Sequence, residues 1–290
     1  MAADKRTPEE LELQAPDRLD AAGLVQLDPD HPGFRDPVYR ARRDAIARIA
    51  FEYRDGDPVP RVDYTEEEQE VWRTVWRNLA PLHDRYACGA YQGCSRLLKL
   101  DRTRVPQLAD VNVSLGRATG FRMRPVAGLV SDRNFLGHLG RSVFLATQYM
   151  RHPSRPLYTP EPDVVHELVG HAATFCDPAF ARFNRAFGQA AVLATAEQLG
   201  RIARVYWYTL EFGLCEEEGA VKAYGAGLLS SFGELGRFAE HAELRPLDLE
   251  LVAATPYDPT DYQKVLYVSP DLGRTAELVS AWLERAAKVS

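Results

Sequence analysis

Apolar side chains recur every three to four residues along most of this chain, which is the spacing of helices that bury one face. The clearest stripe follows Thr65 and Glu68, a capping-box pattern that marks the start of a helix. That stripe consists of Val71, Trp72, Val75, Trp76 and Leu79. Strand-like segments are few and short, near residues 124–127 and 265–268. The sequence therefore predicts a mainly α fold with a few short strands.

The same periodicity places further helices before and after this one. Helices are predicted over residues 36–53, about 197–215 and 275–289. The first is expected to bury Val38, Ile46, Ile49, Ala50 and Tyr53. A separate stripe comprises Phe183, Phe187, Ala190, Ala191 and Ala194. Residues 1–29 are polar and show no sustained period, so they are predicted to form a tail ahead of one domain over residues 30–290.

The charge and the cysteine content narrow the class of protein. The chain has 35 Lys and Arg against 41 Asp and Glu, so its formal net charge is 35 − 41 = −6, and no general affinity for nucleic acid or an anionic membrane is expected. No apolar run approaches the roughly 18 residues of a membrane span, and the polar N-terminus lacks the features of a secretion signal. The four cysteines form no CxxC pair, so we expect a reduced, cytoplasmic protein.

The stretch VVHELVGH places two histidines five residues apart, one more than the spacing of the zinc-protease motif HExxH. On a regular helix, residues five apart point in directions roughly 140° apart, so His166 and His171 cannot both face one metal ion. Gly170 is a permissive place for such a helix to end or distort. Thr159 as cap and Pro160 at the first helical position predict where the helix begins. His166 would then lie near the end of the helix, with His171 turning back towards it.

A metal site with two histidines needs a third ligand, and Glu211 is the strongest candidate. It stands alone between Leu210 and Phe212 in an apolar predicted helix, where an unpaired carboxylate would be costly. Two histidines and one carboxylate are typical of open Fe(II) oxygenase sites, although zinc also uses this set. Three alternatives stay open from these residues alone. The histidines could form local hydrogen bonds, Glu211 could lie on the solvent-exposed face of its helix, or the site could be that of a zinc hydrolase with Glu167 as its base.

Six stretches of the sequence resemble the pterin-dependent aromatic amino acid hydroxylases, and most of all the bacterial phenylalanine 4-hydroxylases. They are DHPGFRDPVYRARRDAIARIAFEY, PRVDYTEEE, GFRMRPVAGLVSDRNFLGHL, TQYMRHPSRPLYTPEPDVVHELVGH, EFGLC and VKAYGAGLLSSFGEL. They occur in the family's order over about residues 29–285. The resemblance implies the family's catalytic fold, a basket of helices with a few short strands around a non-haem iron.

The resemblance also assigns the metal site. The positions that match the family's iron ligands are His166, His171 and Glu211. The cofactors that the resemblance implies are Fe(II) and a tetrahydropterin, either tetrahydrobiopterin or a bacterial analogue. Glu167 matches a catalytic glutamate that lies beside the pterin and the iron. Ser230 matches a serine that orients one of the iron-binding histidines.

Further residues are expected, by the same resemblance, to bind the two organic substrates. Arg151 matches the arginine that clamps the carboxylate of the amino acid, a task suited to a planar guanidinium, and Asp163 matches an acid beside it. The other expected contacts of the amino acid are Thr159, Pro162, Trp207, Phe212, Gly227 and Ser230. The expected contacts of the pterin are Gly128, Leu129, Val130, Asp132, Phe135 and Tyr206.

The resemblance implies a phenylalanine 4-monooxygenase, which converts L-phenylalanine to L-tyrosine with O2 and tetrahydropterin, in phenylalanine catabolism or tyrosine biosynthesis. Trp207 stands where tryptophan-hydroxylating relatives tend to have phenylalanine. The larger side chain leaves less space in the substrate pocket, which favours an amino acid with a single ring over one with an indole. A tryptophan 5-hydroxylase is the alternative within the family, and a helical binding protein without chemistry is the alternative outside it. The regulatory domain and the tetramer-forming arm of the animal members are expected to be missing, so we expect a bacterial, monomeric enzyme whose partners are small molecules.

Overall fold

The computed structural model describes residues 27–259 and 261–287. Helices are its main elements, which confirms the predicted mainly α fold. The α-helices are α1 (Pro37–Glu52), α2 (Glu66–Tyr86), α3 (Gly89–Leu98), α4 (Leu108–Ala118), α5 (Asp132–Gly140), α6 (Pro178–Leu193), α7 (Ala196–Tyr206), α8 (Ala226–Ser230), α9 (Phe232–Leu235), α10 (Phe238–His241), α11 (Leu249–Ala254) and α12 (Leu272–Ala286). Two π-helices, His166–Ala172 and Trp207–Glu211, precede α6 and follow α7. The strands are β1 (Arg122–Pro125), β2 (Val143–Ala146), β3 (Leu214–Glu217), β4 (Ala220–Ala223), β5 (Glu243–Pro246) and β6 (Val265–Ser269).

The strands of the described residues form two small sheets. β1 and β2 pair in parallel, and the other four strands are ordered β4–β3–β6–β5. The predicted strands near residues 124–127 and 265–268 correspond to β1 and β6 and are confirmed, although β1 starts two residues earlier than predicted. β3 and β4 were not predicted. They form a hairpin whose turn has left-handed backbone at Glu218 and Gly219, with φ of 52° and 78°.

The helix predicted over about residues 197–215 is divided among three elements. It is α-helical in α7, it widens into the second π-helix, and Cys215 lies in strand β3. The helical pairing stops because the carbonyl of Gly213 accepts hydrogen bonds from the amides of Tyr224 and Gly225, each at 3.1 Å. Long-range pairing with the segment after β4 therefore replaces the local pairing of a helix.

Helix α1 and its C-cap residue bury Ile46, Ala50 and Tyr53 as predicted, and Ile49 is half-buried, but Val38 is not buried. The buried residues of the helix are Arg43, Ile46, Ala47 and Ala50, whereas Val38 is 78 % exposed. The guanidinium of Arg43 donates to Glu161 at 2.8 Å and lies 3.4 Å from the centre of the Tyr149 ring. A cation that has these partners can occupy the core-facing side, so the helix is rotated away from Val38.

The two other predicted stripes pack into the core. All five residues of the α2 stripe are buried, and the Thr65–Glu68 capping box is formed. The five residues of the α6 stripe are also buried. Where α5 crosses α6, a Cβ on Gly188 would lie 1.9 Å from the amide nitrogen of Gly140, so this close approach requires glycine.

The predictions for the two ends of the chain are tested only in part. Residues 1–26 of the predicted tail, and residues 288–289 of the last predicted helix, lie outside the described residues. Leu27 is buried against Ala47 and Ala127, so packing starts before the predicted domain boundary at residue 30. All four cysteines are free thiols. Within the two described ranges, no helix combines the length and the apolar character needed to cross a membrane.

Candidate metal centre

The segment that carries the two histidines begins later than predicted. Helical structure starts at Val164, and the side chain of Asp163 accepts the amide hydrogen of His166 at 3.2 Å, which is the bond of a helix cap. Thr159 instead donates its hydroxyl to the carbonyl of Glu161 at 2.9 Å, inside the preceding loop. The predicted start at Thr159 and Pro160 is therefore wrong, because a carboxylate nearer to the helix takes the capping role.

The histidines reach the same face because the helix widens. In a π-helix the main-chain hydrogen bonds span five residues instead of four, so side chains five residues apart lie on one face. The Nε2 atoms of His166 and His171 are 3.0 Å apart, although the backbone neither ends nor turns back between them. Gly170 lies where the helix widens, so the predicted distortion is found although the predicted helix end is not. A Cβ there would lie 2.7 Å from the carbonyl oxygen of Ala226, so glycine lets α8 approach the π-helix.

Glu211 closes the cluster from the second π-helix. Its carboxylate oxygens lie 3.0 Å from Nε2 of His171 and 3.6 Å from Nε2 of His166. One ligand atom from each of the three residues lies within 4.8 Å of the other two. Two imidazole nitrogens and a carboxylate oxygen that converge in a largely buried space are a donor set for a divalent metal ion.

The hydrogen bonds around His166 determine which of its nitrogens carries the proton. The single hydroxyl proton of Ser230 goes to the carbonyl of Ala226 at 2.8 Å, so Oγ can only accept from Nδ1 of His166, at 2.9 Å. Nε2 therefore keeps its lone pair and points towards Glu211. Burial lowers the pKa of His166 to about 4, although Glu211 partly opposes this shift. A neutral imidazole with a free Nε2 is the form that binds a metal ion.

The two carboxylates of the site are in different states. Burial by itself would raise the pKa of Glu211, but the proximity of His171 outweighs it, and the pKa lies below the ordinary range. Burial raises the pKa of Glu167 to about 7. Glu167 turns away from the metal cluster, since its Oε1 accepts hydrogen bonds from the amide and the hydroxyl of Thr147 at 3.0 and 2.9 Å. It is thus a buried acid beside the ligands, able to hold or release a proton near neutral pH.

Arg151 and Asp163 form a buried ion pair next to the first π-helix. Nε and Nη2 of Arg151 donate to the two carboxylate oxygens at 2.9 and 2.8 Å, and the side chains are 3 % and 0 % exposed. Nη1 of Arg151 makes no hydrogen bond to the described residues. Burial would raise the pKa of Asp163, but the guanidinium holds it below its ordinary value. Asp163 thereby fixes the arginine in place and also caps the helix of His166.

Aromatic rings pack around the second π-helix, which carries Glu211. The indole of Trp207 stacks on Tyr257 with centroids 4.2 Å apart and tilts against Phe212 at 4.7 Å. Its Nε1–H donates to Oε1 of Gln263 at 2.9 Å. A Cβ on Gly227 would lie 2.6 Å from the ring of Phe212, so glycine permits this packing. Sequence reasoning missed Tyr257 and Gln263, because a loop about fifty residues away carries no local signal of its contact with Trp207.

The residues expected to bind a pterin include Phe135 and Tyr206, whose rings lie close to the cluster. Phe135 contacts Phe144 and Tyr206 edge-on, with centroids 5.5 and 5.6 Å apart, and Phe144 in turn lies 4.4 Å from the ring of His171. The hydroxyl of Tyr206 is buried beside Glu211, and burial together with that carboxylate raises the pKa of the phenol well above its ordinary value. The remaining residues of this set lie between β1 and the start of α5: Gly128, Leu129, Val130 and Asp132. Their predicted roles stay predictions, as do those of Thr159 and Pro162, whose loop lies between Arg151 and the metal-bearing helix.

Comparisons with known proteins agree with this arrangement. The sequence model of the biopterin-dependent aromatic amino acid hydroxylases matches residues 15–289. Phenylalanine-4-hydroxylase of Rattus norvegicus is 49 % identical over 260 residues, or 88 % of this chain and 57 % of the rat protein, and human tyrosine 3-monooxygenase is 46 % identical over 264 residues, or 89 % and 50 %. The chain thus spans little more than half the length of these curated relatives.

Solved structures give the same result for the fold. Phenylalanine hydroxylase of Chromobacterium violaceum, in a crystal structure with iron(III) and 7,8-dihydrobiopterin, superimposes with a TM-score of 0.72 and 31 % identity, covering 79 % of this chain and 88 % of that chain. Phenylalanine hydroxylase of Colwellia psychrerythraea superimposes with a TM-score of 0.70 and 29 % identity, covering 79 % and 85 %.

Proposed function

Since this chain belongs to the biopterin-dependent aromatic amino acid hydroxylases, we propose that it is a phenylalanine 4-monooxygenase that forms L-tyrosine from L-phenylalanine, O2 and a tetrahydropterin. The observation that carries the proposal is the buried cluster of His166, His171 and Glu211, whose ligand atoms converge within 4.8 Å. Three protein ligands leave coordination positions open, which an oxygenase needs and a structural metal site does not.

The proposed cofactors are Fe(II), held by the three residues of the cluster, and a tetrahydropterin beside Phe135. When bound, they supply the activation of O2, which no protein side chain can perform. Ser230 keeps His166 in the tautomer that offers Nε2 to the metal. Glu167 holds its proton in part near neutral pH and accepts the hydroxyl hydrogen of Thr147, so it would be the residue able to hold or release a proton beside a bound pterin.

The amino acid is proposed to bind between Arg151 and an aromatic wall that consists of Trp207, Phe212 and Tyr257. Nη1 of Arg151 is the donor left for the substrate carboxylate, because Asp163 holds the other side of the guanidinium. The indole of Trp207, which Tyr257 and Gln263 hold in place, narrows the space for the substrate ring. Such a pocket fits one six-membered ring better than an indole, and it excludes water from the reacting carbon.

A tyrosine 3-monooxygenase is the second candidate, because a human enzyme of that activity is nearly as similar to this chain as the rat phenylalanine hydroxylase. Tryptophan hydroxylation is the third. Turnover in air with Fe(II) and a tetrahydropterin, with each amino acid offered separately, tests all three. We expect the highest kcat/KM for phenylalanine and para-tyrosine as the product by chromatography. A higher value for tyrosine or tryptophan would overturn the proposed specificity, and stoichiometric zinc with peptidase activity and no oxygen uptake would overturn the hydroxylase itself.

The proposed clamp can be tested with Arg151→Lys. The lysine keeps the positive charge but loses the planar fork that meets Asp163 and the substrate together, so we expect phenylalanine binding to weaken by about 1–3 kcal/mol. The measurement is the KM for phenylalanine at saturating tetrahydropterin, with metal content as the control, since no hydrogen bond or ion pair joins Arg151 to His166, His171 or Glu211 within the described residues. An unchanged KM would show that another group binds the substrate carboxylate.

The proposed wall can be tested with Gln263→Leu. This change removes the acceptor of the half-buried Trp207 indole hydrogen and the two hydrogen bonds that Gln263 donates to the carbonyls of Asp258 and Asp261, so the indole is expected to tilt and widen the pocket. The preference for phenylalanine over tryptophan, measured as the ratio of kcat/KM values, should fall severalfold. Lys264→Gln is the matched control, because this neighbouring side chain is 87 % exposed and touches no part of the wall. An equal ratio in the variant and the control would remove Gln263 from the specificity of the enzyme.

A further inference from the structure

Two touching side chains from outside the candidate centre, His83 and Tyr91, hydrogen-bond to the π-helix that carries both histidine ligands and to α8, which carries Ser230. His83 lies near the end of α2 and Tyr91 in α3, and their rings meet edge to face with centroids 5.0 Å apart. Nε2 of His83 lies 2.7 Å from the carbonyl oxygen of Leu229 in α8. The hydroxyl of Tyr91 donates to the carbonyl oxygen of Val169 at 3.0 Å, in the middle of the first π-helix.

The bond from Tyr91 completes a gap in the π-helix. In continuous π-helical pairing the amide of Thr174 would donate to the carbonyl of Val169, five residues earlier. That amide donates instead to the carbonyl of His171 at 2.9 Å. Val169 is completely buried, and a buried carbonyl without a donor costs about 1–3 kcal/mol. The phenol therefore stabilises the widened turn at a point between the two histidines.

The bond from His83 acts at the end of α8. The last carbonyls of a helix have no partner within it, and Leu229 is the residue before the last. Burial lowers the pKa of His83 to about 4, so the ring is neutral and its single N–H lies on Nε2, facing that carbonyl. The peptide that joins Leu229 to Ser230 is thereby held at the point from which the Ser230 side chain reaches His166.

The two anchored segments also touch each other. α8 approaches the π-helix so closely that a Cβ on Gly170 would lie 2.7 Å from the carbonyl oxygen of Ala226. Neither His83 nor Tyr91 is among the residues that could hold the ion. Both act through main-chain carbonyls, on the side of the two segments that packs against α2 and α3.

We propose that His83 and Tyr91 are positioning residues of the metal centre: together they set the separation of the first π-helix and α8, and so aim His166 and His171 at one ion. The inference rests on the proposed metal site, but it does not depend on which amino acid is hydroxylated. Loss of a residue that orients a metal ligand from behind typically lowers metal affinity 10–100-fold. His83 and Tyr91 act on the backbone and not on a ligand side chain, so the expected loss of metal affinity is near the lower limit of this range, about 10-fold.

The test is a titration of the metal-free protein with Co(II), followed by its visible ligand-field bands. Tyr91→Phe removes only the hydroxyl and is expected to raise the Co(II) dissociation constant about tenfold and to change the band pattern. Tyr64→Phe is the matched control, because it removes a buried phenol that donates to the carbonyl of Gln148 at 2.8 Å, outside both segments. His83→Leu should act like Tyr91→Phe, and His83→Gln should restore binding, since its amide can donate in place of Nε2.

The outcomes separate positioning from simple stability. Both tyrosine variants are expected to lower the melting temperature of the metal-free protein, but only Tyr91→Phe should weaken Co(II) binding and lower kcat at an unchanged KM for phenylalanine. A Co(II) affinity in Tyr91→Phe equal to that of Tyr64→Phe would overturn the inference for Tyr91. Binding as weak in His83→Gln as in His83→Leu would overturn it for His83. Tight Co(II) binding with the expected shifts but without any hydroxylation would overturn the proposed function alone.

Discussion

Glu211→Ala is expected to abolish metal binding and pterin-dependent hydroxylation together. The carboxylate is the only anionic member of a three-residue cluster, and its oxygens lie 3.0 and 3.6 Å from the two imidazoles. Without it, the site would have to hold a divalent cation with two neutral ligands in a buried space. The loss of metal affinity should exceed the roughly 10–100-fold that follows the loss of an orienting partner. His166→Ala and His171→Ala should have the same effect, because the cluster found among the described residues has three ligands and no fourth to replace a lost one.

The measurements are metal content after dialysis, competition with a chelator, and turnover at saturating Fe(II). Glu216→Ala is the matched control, since this glutamate is exposed in strand β3, a few residues from Glu211, and should leave both properties unchanged. Because Glu216 lies so near Glu211 in the chain, normal activity of this control would also show that a glutamate-to-alanine change in this segment does not by itself prevent folding. Normal iron and normal turnover in Glu211→Ala would mean that a different carboxylate binds the metal.

Asp163→Asn is expected to give the largest loss of stability, with the free energy of unfolding reduced by about 3–5 kcal/mol. The change leaves the guanidinium of Arg151 buried, at 3 % exposure, without its counter-charge, and it weakens the cap of the helix that carries His166. Urea unfolding measures the effect. Replacing both partners, as Arg151→Met with Asp163→Leu, should recover much of the stability, because no buried charge is then left alone. The double variant should still fail to bind phenylalanine.

The ion pair also predicts a pH dependence with a definite sign. The pKa of Asp163 is lower in the folded protein than the ordinary value near 4 that it has when unfolded, because Arg151 outweighs the effect of burial. Its contribution to stability is therefore complete above the ordinary value and is lost as the pH falls through the folded pKa. Wild-type stability should fall at acid pH more steeply than that of the double variant. The ion pair would be shown to contribute little by either of two results. One is that the stabilities of the wild type and the double variant fall in parallel as the pH is lowered, and the other is that Asp163→Asn has a free energy of unfolding within about 1 kcal/mol of the wild-type value.

Where local spacing determines structure, sequence reasoning succeeded. The α2 stripe and its capping box were predicted residue by residue, because a helix that buries one face repeats every three to four residues. Prediction failed where a side chain had a distant partner. Val38 is exposed because Arg43 of the same helix finds Glu161 and Tyr149, more than one hundred residues away, and can therefore face the core. The helix start at Thr159 failed because Asp163 caps the helix four residues later.

The sequence by itself determined the mainly α class, the family, and the three residues that form the candidate metal centre. The class and the candidate ligands follow from short-range spacing and from residue types that are costly to bury without a purpose, and the family follows from the six stretches that resemble it. Only the tertiary structure decided how two histidines five residues apart face one point, since a π-helix is less favourable than an α-helix unless other elements supply its missing partners. Those partners come from far along the chain: Tyr91 for the carbonyl of Val169, and Ser230 for the ring of His166. Hydrogen bonds that join residues 64 and 78 positions apart leave no periodic trace in the sequence, so they can be read only from the folded chain.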